Sequence, residues 1–111
     1  MIDFKKAKRD YKEGRRPMGV YRIRNTVNGK SLLGSSQDVP SMLNRHRAQL
    51  DMGLHRNQPL QADWNQQGAD AFEFEVLDTL KPGEAPGYDP AEDLKALEEL
   101  WRDRLNDAPL Y

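Results

Sequence analysis

The pair Asn28-Gly29, set between the runs Val20 to Asn25 and Lys30 to Leu33, constrains this chain more than any other feature. Both residues tolerate the positive φ of a type I′ turn, so the flanking runs read as the two strands of an antiparallel hairpin. A third strand is written in "AFEFEVLDTL", where Phe72, Phe74 and Val76 alternate with Glu73 and Glu75, the period of a strand with one buried face.

The segments between and around these strands carry helical spacing. Asp38 caps a helix running to about Met52, with Val39, Leu43, His46 and Leu50 on one face and Gly53 as its stop. "LHRNQPLQADWNQQG" gives a second helix, with Pro59 in its first turn, Leu60 and Trp64 one turn apart, and Gly68 at its end. From Pro90 to about Leu105 a last helix turns Leu94, Leu97, Trp101 and Leu105 inward, with Asp89 as its cap. At the other end Phe4, Ala7 and Tyr11 predict a short basic helix over residues 3–13, which "GRRP" (14–17) breaks. "KPGEAPGYDP" (81–90) is a loop by its prolines and glycines. The order α, β, β, α, α, β, α predicts an α+β domain, a three-stranded antiparallel sheet flanked by helices, over residues 18–111, preceded by a basic helix and linker over 1–17.

A chain of 111 residues supports one core. It has no cysteine, which removes disulfides and thiolate metal sites and suits a reducing, cytoplasmic setting. No apolar run reaches the ~18 residues of a membrane span, and the first dozen residues lack the apolar segment of a secretory signal. The net charge of -1 hides a partition: 13 Lys or Arg against 5 Asp or Glu through residue 56, then 4 against 13. Either the halves complement each other across the fold, or the first half faces a polyanion.

Certain residues stand out chemically. Glu98 falls between Leu94, Trp101 and Leu105 on the apolar face of the last helix. A carboxylate there must be paired, hydrogen-bonded, protonated or bound to a cation. A salt bridge to an arginine and a ligand for a hard divalent ion both satisfy that requirement. His46 breaks the stripe of its helix in the same way, as a satisfied core residue or as part of a site. His55 sits in a loop where it can reach solvent. Tyr21 shares a strand face with Ile23, as core filler or as a rigidly held proton-transfer group; Arg22 and Arg24 lie on the opposite face.

With these residues in place, the chain resembles the GIY-YIG nuclease superfamily of homing-endonuclease type. "GVY" (19–21) resembles the first signature, "NTVNGK" its connecting turn, and "LLG" (32–34) followed by Ser35 and Ser36 an altered second signature. The likeness continues through "NRHRAQLDMGLHRN", "LQADWNQQG" and "FEFEVLD" to "LEELW". The resemblance implies a DNA-cutting hydrolase that uses one Mg²⁺ or Mn²⁺. It puts the metal-binding glutamate at Glu98, the water-activating tyrosine at Tyr21, and supporting histidines at His46 and His55. Two positions depart: Leu32 stands where the second signature has tyrosine, and Met42 where the family has an arginine. Arg45, one turn beyond Met42, is the candidate replacement, in binding and in catalysis.

The expected nucleic-acid surface comprises Lys5, Lys6, Lys8, Arg9, Lys12, Arg15, Arg16, Arg22, Arg24, Arg45, Arg47 and Arg56. Three functions follow as expectations: a degenerate domain that binds DNA, or alternatively RNA, with weak or no cleavage; an active metal-dependent endonuclease with an atypical site; and a protein-interaction or regulatory module, with a protein partner or a second copy of the chain.

Overall fold

The hairpin forms, but its turn is not the two-residue type I′ that Asn28-Gly29 predicts. In the computed structural model, which describes residues 2–3, 17–80 and 89–111, strands β2 (Met18–Asn25) and β3 (Ser31–Ser36) are joined by the five residues 26–30. Gly29 alone takes a left-handed φ, 78°. The longer loop is satisfied from within. Fully buried Asn25 accepts the Val27 and Asn28 amide hydrogens on Oδ1, and its carbonyl accepts from the Gly29 N–H. A side chain that imitates a turn in this way offers the backbone an alternative to the tight hairpin.

The sheet is the predicted antiparallel three, with a short addition. β2 lies between β3 and β4 (Phe72–Leu80), and β1 (Ile2–Asp3) pairs with β4 at the outer edge, giving the order β1-β4-β2-β3. Because Asp3 is in a strand, the basic helix predicted over 3–13 does not begin there. The rest of that helix, and all of Lys5, Lys6, Lys8, Arg9, Lys12, Arg15 and Arg16, lie outside the described residues, as does most of the 81–90 loop.

Among the described residues, three helices cover the sheet from both sides. On one face Tyr21, Ile23, Phe72 and Val76 pack with Val39, Leu43 and Leu50 of α1 (Val39–Asp51) and Leu60 and Trp64 of α2 (Gln58–Gln67). On the other face Val20, Leu33 and Leu77 meet Leu97 and Trp101 of α3 (Pro90–Arg104), and Leu105 just past its end. These are the stripes that the spacing predicts. Two caps act where expected, Asp38 accepting from the Ser41 N–H and Asp89 from Ala91, and Asn57, not singled out by the sequence, accepts from Leu60. An irregularity between Val20 and Tyr21 in the β2–β4 pairing interrupts the register beside Tyr21.

The residues that end the sequence are tied to the hairpin. Leu110 bridges Ser31 in parallel, and the Tyr111 hydroxyl accepts from Asn25 and donates to Asp63. No helix among the described residues is long and apolar enough to cross a membrane.

Candidate active site

The strand pairing sets Tyr21 opposite Gly34. A Cβ at Gly34 would stand 2.5 Å from the Tyr21 hydroxyl and 2.6 Å from Cζ, so the phenol lies directly across a backbone that must carry no side chain. From there the hydroxyl meets His46 on α1, with Oη and Nε2 2.8 Å apart. His46 Nδ1 is in turn 2.8 Å from His55 Nε2, and the two imidazoles stack with centroids 5.1 Å apart. Strand, helix and loop thus contribute one group each to an unbroken chain.

The proton positions along this chain follow from its far end. The backbone N–H of Asn57 donates to His55 Nδ1 over 3.0 Å. A neutral His55 therefore carries its hydrogen on Nε2 and donates to His46 Nδ1, and His46 donates from Nε2 to the Tyr21 oxygen. Every donor points toward the phenol, which keeps its own hydrogen and its second lone pair for another partner.

Burial supports the same neutral state. It pushes His46 down to about 4, helped by the nearby charges of His55 and Arg45, and it lowers His55 as well. Tyr21 is pushed up to about 12, first by burial and then by the negative charge of Glu98. At neutral pH Tyr21 is a phenol, both rings are uncharged, and no proton in the chain is loose.

His55 does not reach solvent as expected of a loop residue: it is 8 % exposed. Gln61 is the reason, and the sequence reading missed it. Buried on α2, it accepts the His55 N–H at Oε1 and donates to the Leu50 carbonyl, stapling the loop to the end of α1. Its one signal was position, three residues before Trp64 on the inward side of the helix.

A cleft of about 470 Å³ opens beside the histidines, lined by Leu32, Met42, Arg45, His46, Gln49, His55, Arg56 and Asn57. Tyr21 is not in its wall, so the phenol meets the cleft through His46. Arg45 and Arg56 are exposed and have no acidic partner among the described residues. The other arginines of the expected surface are placed differently. Arg22 is 15 % exposed and held by Glu75, with Nε 2.6 Å from Oε2. That bond matches the Arg22 charge within the fold. Arg24 lies 3.6 Å from Glu73 on the same face, and Arg47 is 3.9 Å from Asp51, with its guanidinium over the Phe74 ring.

Glu98 approaches from the α3 side. Ser35, on the strand face of Leu33, donates to Oε1 over 2.9 Å, and Arg102 one turn along α3 donates to Oε2 over 2.7 Å. Strand alternation thus places Glu98 and Tyr21 on opposite faces of the sheet, yet near enough for the Glu98 charge to act on the phenol. The salt bridge that the sequence left open is present. A hard cation also fits this carboxylate: one oxygen is oriented by a neutral hydroxyl, and the other faces an arginine whose side chain is 47 % exposed. Among the described residues no three histidines or acids group together, so water and substrate would complete any such coordination.

No protein-family model matches the chain. Intron-associated endonuclease 1 of Enterobacteria phage T4 is 36 % identical over 62 residues, which are 56 % of this chain and 25 % of that protein. The chain therefore spans about a quarter of its relative's length. Two structures of the catalytic domain of I-TevI superpose on it. One, described as an intron endonuclease and solved as a mutant, gives a TM-score of 0.66 at 28 % identity over 81 % of this chain and 84 % of that one. The other, described as a homing endonuclease, gives 0.65 at 29 % identity over 80 % and 88 %.

The chain has the fold of that catalytic domain, and these matches support a domain of the GIY-YIG nuclease type. Within a GIY-YIG frame the two departures are neighbours: Leu32 and Met42 both line the cleft and give it an apolar side, while Arg45 and Arg56 stand at the same cleft.

Proposed function

We propose that this domain binds DNA and retains a weak, divalent-metal-dependent phosphodiester cleavage. The observation that carries the reading is the continuous Tyr21–His46–His55 chain, with both links at 2.8 Å. The names of the relatives, an intron-associated endonuclease and a homing endonuclease, support nucleic acid as the partner.

In this reading His46 fixes the Tyr21 hydroxyl, whose free lone pair and hydrogen orient a water molecule or a phosphate oxygen. As that hydroxyl donates to a phosphate oxygen, the His46 N–H supports the partial charge left on the phenol oxygen, and the phenol keeps its proton. Arg45 and Arg56 bind the phosphate, and their charge offsets what develops during in-line attack. Glu98 would hold Mg²⁺ or Mn²⁺ in place of Arg102, and the ion so held would supply positive charge against the reacting phosphate. Weakness follows from the two departures. Loss of one preorganised donor costs about 2.7 to 4 kcal/mol, or ~10² to 10³ in rate, and neither Leu32 nor Met42 can donate.

A second reading, binding without cleavage, is favoured by Arg102 already occupying Glu98. Nicking of supercoiled plasmid separates the two. Cleavage is expected only with Mg²⁺ or Mn²⁺, and Glu98→Ala should abolish it with the thermal melt unchanged. DNA that is bound but never cut, in any metal, leaves the binding reading; cutting that survives both chelator and Glu98→Ala refutes the site.

A further inference from the structure

The loop between α1 and α2 leaves two large apolar side chains mostly in solvent: Met52 is 67 % exposed and Leu54 68 %. They bracket Gly53, and the very next residue, His55, turns inward to close the hydrogen-bonded chain. One exposed leucine would need no explanation. Two on a single loop tip, with Arg56, unpaired among the described residues, just after them and Arg45 at the adjoining cleft, are a different matter. They are far too small a patch for a protein interface, which needs ~800 Å² on each partner. They do have the form of a wedge. In proteins that kink DNA, apolar side chains such as Leu or Met enter between base pairs while cations beside them hold the phosphates.

The cleft supplies the other half of such an arrangement. A site built for a phosphate alone would be ringed with donors, whereas here Leu32 and Met42 form an apolar surface beside Arg45, Arg56 and the Gln49 amide. Hydrocarbon takes the face of a base or a sugar, the amide takes a base edge, and the guanidiniums take the backbone. Its volume of about 470 Å³ lies within the ~300 to 1,000 Å³ typical of small-molecule sites.

We propose that Met52 and Leu54 wedge open one base step of bound DNA and that the nucleotide so released enters the cleft, making a duplex that is deformable or already unpaired at that step the preferred substrate. The inference rests on the DNA-binding reading above and names its substrate class.

The test uses the full chain and a short duplex in which several adenines are replaced by 2-aminopurine, whose fluorescence rises on unstacking. A second duplex carries unpaired nucleotides at its centre. Wild type should raise the fluorescence of the first duplex and bind the second roughly tenfold more tightly, as expected when the unstacking cost is already met. The double variant Met52→Ser, Leu54→Ser should lose the fluorescence rise and weaken on the intact duplex, yet keep most of its affinity for the unpaired one. Because both side chains are exposed, its thermal melt should match wild type. Unchanged fluorescence with wild type, a rise that survives the double substitution, or equal affinity for the two duplexes overturns the wedge. If binding and nicking persist in any of those cases, the wedge alone falls. If neither duplex binds at low salt, the DNA-binding reading falls with it.

Discussion

His46 ties the candidate site to stability through its proton. In the folded chain its Nδ1 receives the His55 hydrogen, and burial holds the ring at about 4 instead of 6.5. Between those values the unfolded chain binds a proton that the folded chain does not, so this residue's contribution is complete above pH 6.5 and is lost as pH falls toward 4. The lowered His55 acts in the same direction. The melting temperature of wild type should therefore fall more steeply from pH 7 to 4.5 than that of His46→Gln; parallel curves would show that the ring is not the cause. The sequence displays the ingredients of this network, since a histidine on an apolar stripe and a carboxylate among leucines are visible as breaks in a period. What it does not display is direction. The Asn57 N–H that orients every donor, and the Gln61 amide that buries His55, act through backbone geometry and through contacts with no fixed spacing.

Among the elements, the strands and helices were legible because each buries one face and so imposes a period of 2 or 3.6 on its residues. The hairpin loop was less so: the glycine was read rightly, but the turn's length depends on buried Asn25, whose partners Asp63 and Tyr111 lie 38 and 86 residues away. Arg22 and Glu75 show the same limit. Alternation puts both on the α3 face, yet only the register of β2 against β4 sets them opposite each other, side chains 15 % and 9 % exposed. Removing one partner strands the other charge in a poorly hydrated place, at about 3 to 5 kcal/mol, whereas replacing both with hydrocarbon is often neutral. Glu75→Leu should lower stability in urea melts by about that amount, and Arg22→Leu combined with it should recover most of the loss. A double variant no more stable than the single one would mean that the pair's packing, not its charge, holds the two strands.

Across the whole molecule, the opposed halves of the sequence meet in part: Arg22 and Arg24 from the basic half are matched by Glu75 and Glu73 from the acidic half, on the α3 face. That matching accounts for some of the partition by internal pairing, and it leaves Arg45 and Arg56 at the cleft on the other side of the sheet. A protein that neutralises phosphates releases the counterions condensed on DNA, so its affinity falls linearly with salt on logarithmic axes, by ~0.9 for each phosphate met. Titrations at several salt concentrations should show a steep decline for wild type. Arg45→Gln combined with Arg56→Gln should lower the slope by about 2, while Arg24→Gln, paired and on the far face, should leave it in place. A slope unmoved by the double substitution, or moved equally by Arg24→Gln, would mean that DNA does not enter by the cleft. The two guanidiniums beside the histidines would then be solvated charges like any others, and the hydrogen-bonded chain from Asn57 to Tyr21 would serve only to hold strand, helix and loop together.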